Sequence, residues 1–323
     1  MLVAELKKEI EKYDKKELKS IIIELYKRIP KHKKEDYDID EFIKNINNSK
    51  TSTKKEISFE ELKKEIIYFL ELVDKEYYVI PNKIVSKKER SSYRFKVKKY
   101  YKELNRILPD SKNGNDATLL LIEIFKRLSK GSNILLFINW ETFKGLGVAQ
   151  ADYYDCLMKR ILFSGYTKEN LNKCIDLLEV LKDPYELSYC MFEVFITNLK
   201  TNDVKEIAIK LLMNKINNLK EKYKNAKKNK NYHEEFEASI NNHVICILEL
   251  CLKNIEEEIG IKYFHDNYIE ANEEIKEYIL LDKIKSLNLK DIWLKEYESE
   301  VGKTKFRDSI VEDYKNFKLD IDK

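Results

Sequence analysis

Four cations, Arg94, Lys98, Lys102 and Arg106, recur every four residues within RSSYRFKVKKYYKELNRIL, residues 90–108. On a helix this spacing makes a slowly drifting basic ridge. Such a ridge can track the phosphates of RNA or DNA with a salt-sensitive affinity. Ten positive and two negative side chains fall between Lys83 and Arg106. A second reading is structural. Tyr93, Val97, Tyr100, Tyr101, Leu104, Ile107 and Leu108 have the spacing of a buried stripe, and rings committed to a core cannot stack on bases.

Metal and nucleophile chemistry have fewer candidates. In HEEFEASINNH, residues 233–243, His233 and Glu237 are four apart, on one helix face, as a pair of metal ligands requires. His243 lies ten residues from His233, too far round to complete that site. A zinc-protease HExxH motif would need histidine where Glu237 stands. His32 and His265 are isolated in the chain, so neither a metal site nor a cofactor is expected. Cys156, Cys174, Cys190, Cys246 and Cys251 form no CxxC pair and read as small core residues. As a nucleophile, Cys156 or Cys174 would need a histidine partner that no spacing supplies. In NWETFKGLGVAQADYYDCLMKRIL, residues 139–162, Leu146-Gly147-Val148 ahead of Gln150 has the pattern of a helix-turn-helix corner. Asp152 and Asp155 near the tip of that helix would repel phosphate. The structural alternative is a helix C-cap at Gly145. No catalytic set emerges, and the reading leans away from an enzyme.

The elements that must position these residues are helices. Of 323 residues, 43% are hydrophobic and 37% charged, with 61 Lys and Arg against 57 Asp and Glu and a net charge of +4. That balance describes solvated helix faces carrying both signs, with acidic side chains enriched over Glu256–Glu300 to offset the basic stretch. Glycine (7) and proline (4) are too scarce for a strand-and-turn protein. Capping boxes stand at Asp14–Glu17, Ser58–Glu61 and Asp183–Glu186. Leu18, Ile21, Ile22, Leu25 and Tyr26 fall on one face of a short helix that Pro30 ends. Helices are expected near 116–130, 133–144, 150–164 and 203–222. The expected fold class is all-α, an α-solenoid-like array of antiparallel helix pairs. The expected domains are an N-terminal helical segment at 1–48, a polar linker at 49–58 and a helical repeat-like region at 59–323, divided near 200. The charged N-terminus has no apolar leader, and runs such as ILLFI at 134–138 are too short to span a bilayer. A cytoplasmic protein with no membrane contact is the expectation.

Residues 6–28, LKKEIEKYDKKELKSIIIELYKR, resemble the opening of several uncharacterised bacterial helical proteins, in which an LKKEL-type helix precedes an EL-xx-LI-x-ELY helix. Residues 260–296, GIKYFHDNYIEANEEIKEYILLDKIKSLNLKDIWLKE, are similar to the helical repeats beside the zinc module of bacterial SWIM-type proteins. The CxC…CxH pattern of that module is missing. The resemblance implies helical repeats and carries no activity or site. The expected function is a non-enzymatic protein-interaction scaffold with a protein partner. The alternative is RNA or DNA binding through the basic helix 83–106. The sequence leaves the oligomeric state open.

Overall fold

A computed structural model describes residues 9–30, 33–34, 39–44, 58–79, 84–180, 190–225, 230–254 and 256–321. Every regular element among them is helical, and the sole extended pairing is an isolated bridge between Val301 and Thr304. The chain divides into two units, Met1–Glu61 and Leu62–Lys323. The polar run 47–56 and the Asp183–Glu186 cap lie outside the described residues.

In the first unit, α1 (Lys15–Arg28) begins as its sequence predicts. Asp14 Oδ1 accepts from the Lys16 and Glu17 amides, and Glu17 Oε2 accepts from the Asp14 amide at 2.8 Å. The apolar face of α1 stays largely in solvent. No side chain of α1 is buried, and Ile21, Ile22 and Leu25 are exposed. Its neighbour α2 (Ile39–Lys44) has six residues, too little surface to cover fourteen. The Tyr26 hydroxyl donates to Asp40 Oδ1 between them at 2.5 Å.

The second unit starts within α3 (Phe59–Asp74), a helix whose Ser58–Glu61 cap is reciprocal as expected. Leu62, Ile66, Phe69, Leu70 and Val73 are buried at helical spacing. After α4 (Lys87–Ser91) comes α5 (Tyr93–Asn105), which buries Tyr93, Val97, Tyr100 and Leu104. The inward stripe stops there, because the helix ends at Asn105 and leaves Leu108 in solvent. Next is α6 (Gly114–Gly131).

The helix expected over 133–144 does not form. Residues 133–141 run as irregular chain, and the short α7 (Thr142–Leu146) follows. The cause is Phe137. Its ring stacks on Tyr93 with centroids 4.4 Å apart and sits where a Cβ on Gly131 would be. Asn139 accepts from the Tyr93 hydroxyl. A continued helix would carry both residues away from these partners. The cap expected at Gly145 falls instead at Gly147, whose φ of +77° is the left-handed conformation that glycine tolerates best.

Helix α8 (Gln150–Ile161) packs against α6, against α9 (Lys168–Leu177) and against α10 (Cys190–Asn198). Tyr153, Tyr154, Leu157 and Met158 are fully buried on it. Each tyrosine still finds an acceptor: Tyr153 donates to the Leu121 carbonyl and Tyr154 to the Cys174 carbonyl, both at 3.0 Å. The Cys174 carbonyl lies in the last turn of α9, where helix carbonyls lack intrahelical donors.

The long helices α11 (Asn202–Asn225) and α12 (Lys230–Leu252) pack extensively, and α13 (Glu257–Asn267) lies as closely on α12. Gly260 permits the second approach, since a Cβ there would come within 2.6 Å of Cys251 Cβ. Three helices complete the unit: α14 (Glu273–Ser286), α15 (Lys290–Glu300) and α16 (Asp308–Ile321). No helix among the described residues is long and apolar enough to cross a membrane.

Two substitutions test this packing. Gly260→Ala should destabilise the protein by about 1–3 kcal/mol through overpacking against Cys251. Tyr154→Phe should cost about 1–2 kcal/mol by removing the donor to the Cys174 carbonyl. Denaturant unfolding of each variant, followed by circular dichroism, gives both values.

Candidate functional site

Buried carboxylates are costly unless something neutralises them, and two places in the second unit differ in how this is done. Glu249 on α12 is 6% exposed and sits between Lys253 and Lys283, with N–O distances of 2.6 and 2.5 Å. The hydrogen bonds and charge of the two lysines outweigh burial and hold its carboxyl below the usual range.

Glu277 on α14 has no such escort. It is 2% exposed, and its Oε2 has no hydrogen-bond partner. Its Oε1 lies 3.3 Å from Nδ1 of His265 on α13. The other ring nitrogen, Nε2, lies 2.8 Å from Oε1 of Glu296 on α15, itself 9% exposed. Among the described residues no lysine or arginine forms an ion pair with either glutamate. Lys276, next to Glu277, donates to the His265 carbonyl at 2.7 Å, and Lys303 is taken up by Glu300 at 2.9 Å. One imidazole is thus flanked by two buried carboxyl groups, and with both of them ionised even its cationic form leaves the group of three with an excess negative charge.

The protonation of the group follows from this. Burial, reinforced by the negative charges of Glu296 and Glu300, pushes the Glu277 carboxyl up to about 7 against the opposing pull of His265. The hydrogen bond to Glu296 raises the imidazole of His265, aided by the charge of both glutamates and opposed by burial. The three side chains offer donor atoms within 4.8 Å of one another, the nitrogen and oxygen ligand types that suit a divalent transition metal.

Sequence reasoning misses this group because its members are 12 and 19 residues apart and come from three helices. The signal available was a lone histidine and two glutamates on three consecutive helices. The histidines considered for a metal pair go elsewhere. His243 is a core residue, its Nδ1 2.7 Å from the Ser239 carbonyl oxygen and its ring edge-on to Phe192. His32 and the side chain of His233 lie outside the described residues.

The basic ridge is divided in role. The shaft of Arg94 lies against Gly145 of α7, and its Nε is buried. Arg106 lies just beyond α5 and pairs with Glu103 at 2.8 and 3.0 Å. Lys98 and Lys102 are exposed and form no ion pair among the described residues. Between the ridge positions, Lys96 reaches Tyr78 and Glu89 while Lys99 holds Glu65. Tyr93 and Tyr100 belong to the core, whereas Phe95 is 55% exposed. Gln150, at the start of the would-be recognition helix, is 2% exposed and donates to Ser129 Oγ. It has no access to a base edge.

The cysteines form no nucleophilic site. Burial pushes Cys174 up to about 12 and Cys251 up to about 11, away from thiolate character, and Cys246 moves the same way. Cys156 is also raised, and its thiol donates to Asn105 Oδ1. The side chain of Cys190 lies outside the described residues.

No protein-family model, no curated protein and no solved structure matches this chain.

The His265 group generates a pH prediction. Both Glu277 and His265 bind protons more tightly folded than unfolded. Their stabilising contribution is complete at acid pH, below the ordinary carboxylate value, and is lost as pH rises, through about 7 for Glu277 and above the ordinary imidazole value for His265. In metal-free buffer the Tm of the wild type should therefore fall relative to that of Glu277→Gln between about pH 5 and about pH 8, the span of these ionisations. Parallel thermal melts of the two proteins measure the gap. A constant difference across that range would rule out the assigned proton affinity.

Proposed function

We propose that this protein is a non-enzymatic interaction scaffold, an α-solenoid-like stack of antiparallel helix pairs whose outer rows hold a segment of a partner protein. The observation that carries this reading is one row on α5. Phe95, Lys98 and Lys102 stand at positions i, i+3 and i+7, one helix face, and all three are exposed. The opposite face is locked into the core through Tyr93, Val97, Tyr100 and Leu104. A rigid helix presenting one ring beside two cations suits an acidic, amphipathic segment, with the ring as anchor and the lysines setting orientation. A reducing, cytoplasmic setting belongs to the same reading, supported by free thiols at Cys156, Cys174, Cys246 and Cys251.

The second reading is RNA or DNA binding by the same helix. The exposed Phe95 ring favours it, since one base can stack there while Lys98 and Lys102 meet phosphates. Arg94 and Arg106 contribute less than the sequence spacing implies, because one is packed on α7 and the other is paired with Glu103.

Fluorescence anisotropy separates the two. A labelled acidic amphipathic peptide and a labelled single-stranded oligonucleotide are titrated with wild type, Phe95→Ala and Lys98→Glu/Lys102→Glu at about 50 and about 200 mM salt. The scaffold reading expects peptide binding that both variants weaken at least tenfold. Oligonucleotide binding alone, steeply salt-dependent and lost in the double variant, selects the second reading. Binding of both probes that neither variant changes would sink the two together.

A further inference from the structure

We propose that His265 and Glu277 form a binding site for a divalent transition-metal ion of the zinc type, with Glu296 positioning the imidazole. Four features of the second unit lead to it.

The first is an orphaned acceptor. Glu277 Oε2 is buried and has no donor within reach, on a residue 2% exposed. Buried carboxylate oxygens without partners are rare in folded proteins. This chain also shows how it treats such a group when no ligand is needed, because Glu249 on α12 is bracketed by two lysines at 2.6 and 2.5 Å. At Glu277 one buried carboxyl oxygen is left without a donor among the described residues.

The second is the geometry of the contact. Nδ1 of His265 lies 3.3 Å from Glu277 Oε1. Two ligand atoms each about 2.0–2.1 Å from a tetrahedral zinc ion stand roughly 3.3 Å apart. The spacing therefore matches two neighbouring ligands of one ion.

The third is the partner on the far side of the ring. Nε2 of His265 meets Glu296 Oε1 at 2.8 Å. With the proton on Nε2 donated to Glu296, Nδ1 keeps its lone pair toward Glu277. A carboxylate that fixes the tautomer of a metal-binding histidine is the usual outer support of such sites. Glu296 is thus a positioning residue, and its carboxylate adds negative charge to the group.

The fourth is access and rigidity. His265 is half-buried and the two glutamates are buried, so the site is reached from the imidazole side while its floor is fixed. The three side chains come from α13, α14 and α15, so a bound ion would bridge successive helices of the stack. Remaining coordination positions are open to water. The imidazole nitrogen and carboxylate set favours zinc or a neighbouring first-row dication over calcium, which takes six to eight oxygens.

The test uses the full chain, freed of metal by chelator and dialysis. Zinc is titrated calorimetrically and in competition with a chromophoric chelator, against wild type, His265→Gln, Glu277→Gln and Glu296→Gln. Cobalt(II) substitution is followed by its visible absorption. The expected result is one saturable ion per chain, visible ligand-field bands with cobalt, and affinity lowered at least tenfold in His265→Gln and Glu277→Gln. Glu296→Gln should show a smaller loss, since an amide oxygen still accepts from Nε2. Circular dichroism of each variant confirms that it is folded. The wild-type cobalt spectrum carries the test alone if a variant is not. No stoichiometric binding by wild type, no cobalt bands, or binding unchanged in both folded ligand variants would overturn the site.

Discussion

The second unit depends on burying helix α8 without stranding its polar atoms. This helix touches α6, α9 and α10, and its Tyr153 and Tyr154 are fully enclosed. Apolar burial supplies the driving force, but a buried hydroxyl without a partner would cancel part of it. Each phenol reaches a backbone carbonyl of a different neighbouring helix, α6 on one side and α9 on the other. Arg160 adds the same device at the helix end, its Nε donating to Thr118 Oγ1 at 3.0 Å. The hydrogen bonds fix how α8 is rotated and how far along its axis it sits, which the non-directional hydrophobic effect cannot do.

Around this centre the abundant charges act mostly at the surface, where they link one helix to the next. Lys63 meets Asp116, Lys99 meets Glu65, Lys215 meets Asp176 and Glu179, and Arg307 holds Glu274. Exposed pairs of this kind contribute little each. Their effect is on register and solubility. Where a carboxylate is drawn inside, the same logic becomes expensive, and Glu249 and Glu277 represent its two solutions: an escort of lysines, or a histidine and an unmet oxygen. The second arrangement leaves one buried carboxyl oxygen without a donor among the described residues.

The exposed row on α5 and the His265 group are chemically different and lie on separate helices. The row needs a rigid backbone with one face anchored, and the tyrosines provide it by packing inward. The group needs three helices held at fixed spacing, and the close approach of α13 to α12 at Gly260 is part of what sets it. Both are products of packing, one leaving a face free and the other bringing inner faces together.

Periodicity along the chain determined what is local: that the elements are helices, where Asp14 and Ser58 begin them, and that Tyr93, Tyr100 and Leu104 turn inward. These follow from steric and hydrogen-bonding rules within a few residues, so a sequence read in short windows contains them. It also led to a helix over 133–144 and a cap at Gly145, neither of which the structure has. In the first, a distant ring pair between Phe137 and Tyr93 outweighs local propensity. Only the tertiary structure decided that His265, Glu277 and Glu296 meet, that Arg94 is packed on α7 and Arg106 paired, and that Phe95 stays bare. Such outcomes depend on which helices pack together and at what rotation, and that information is spread over side chains far apart in the sequence.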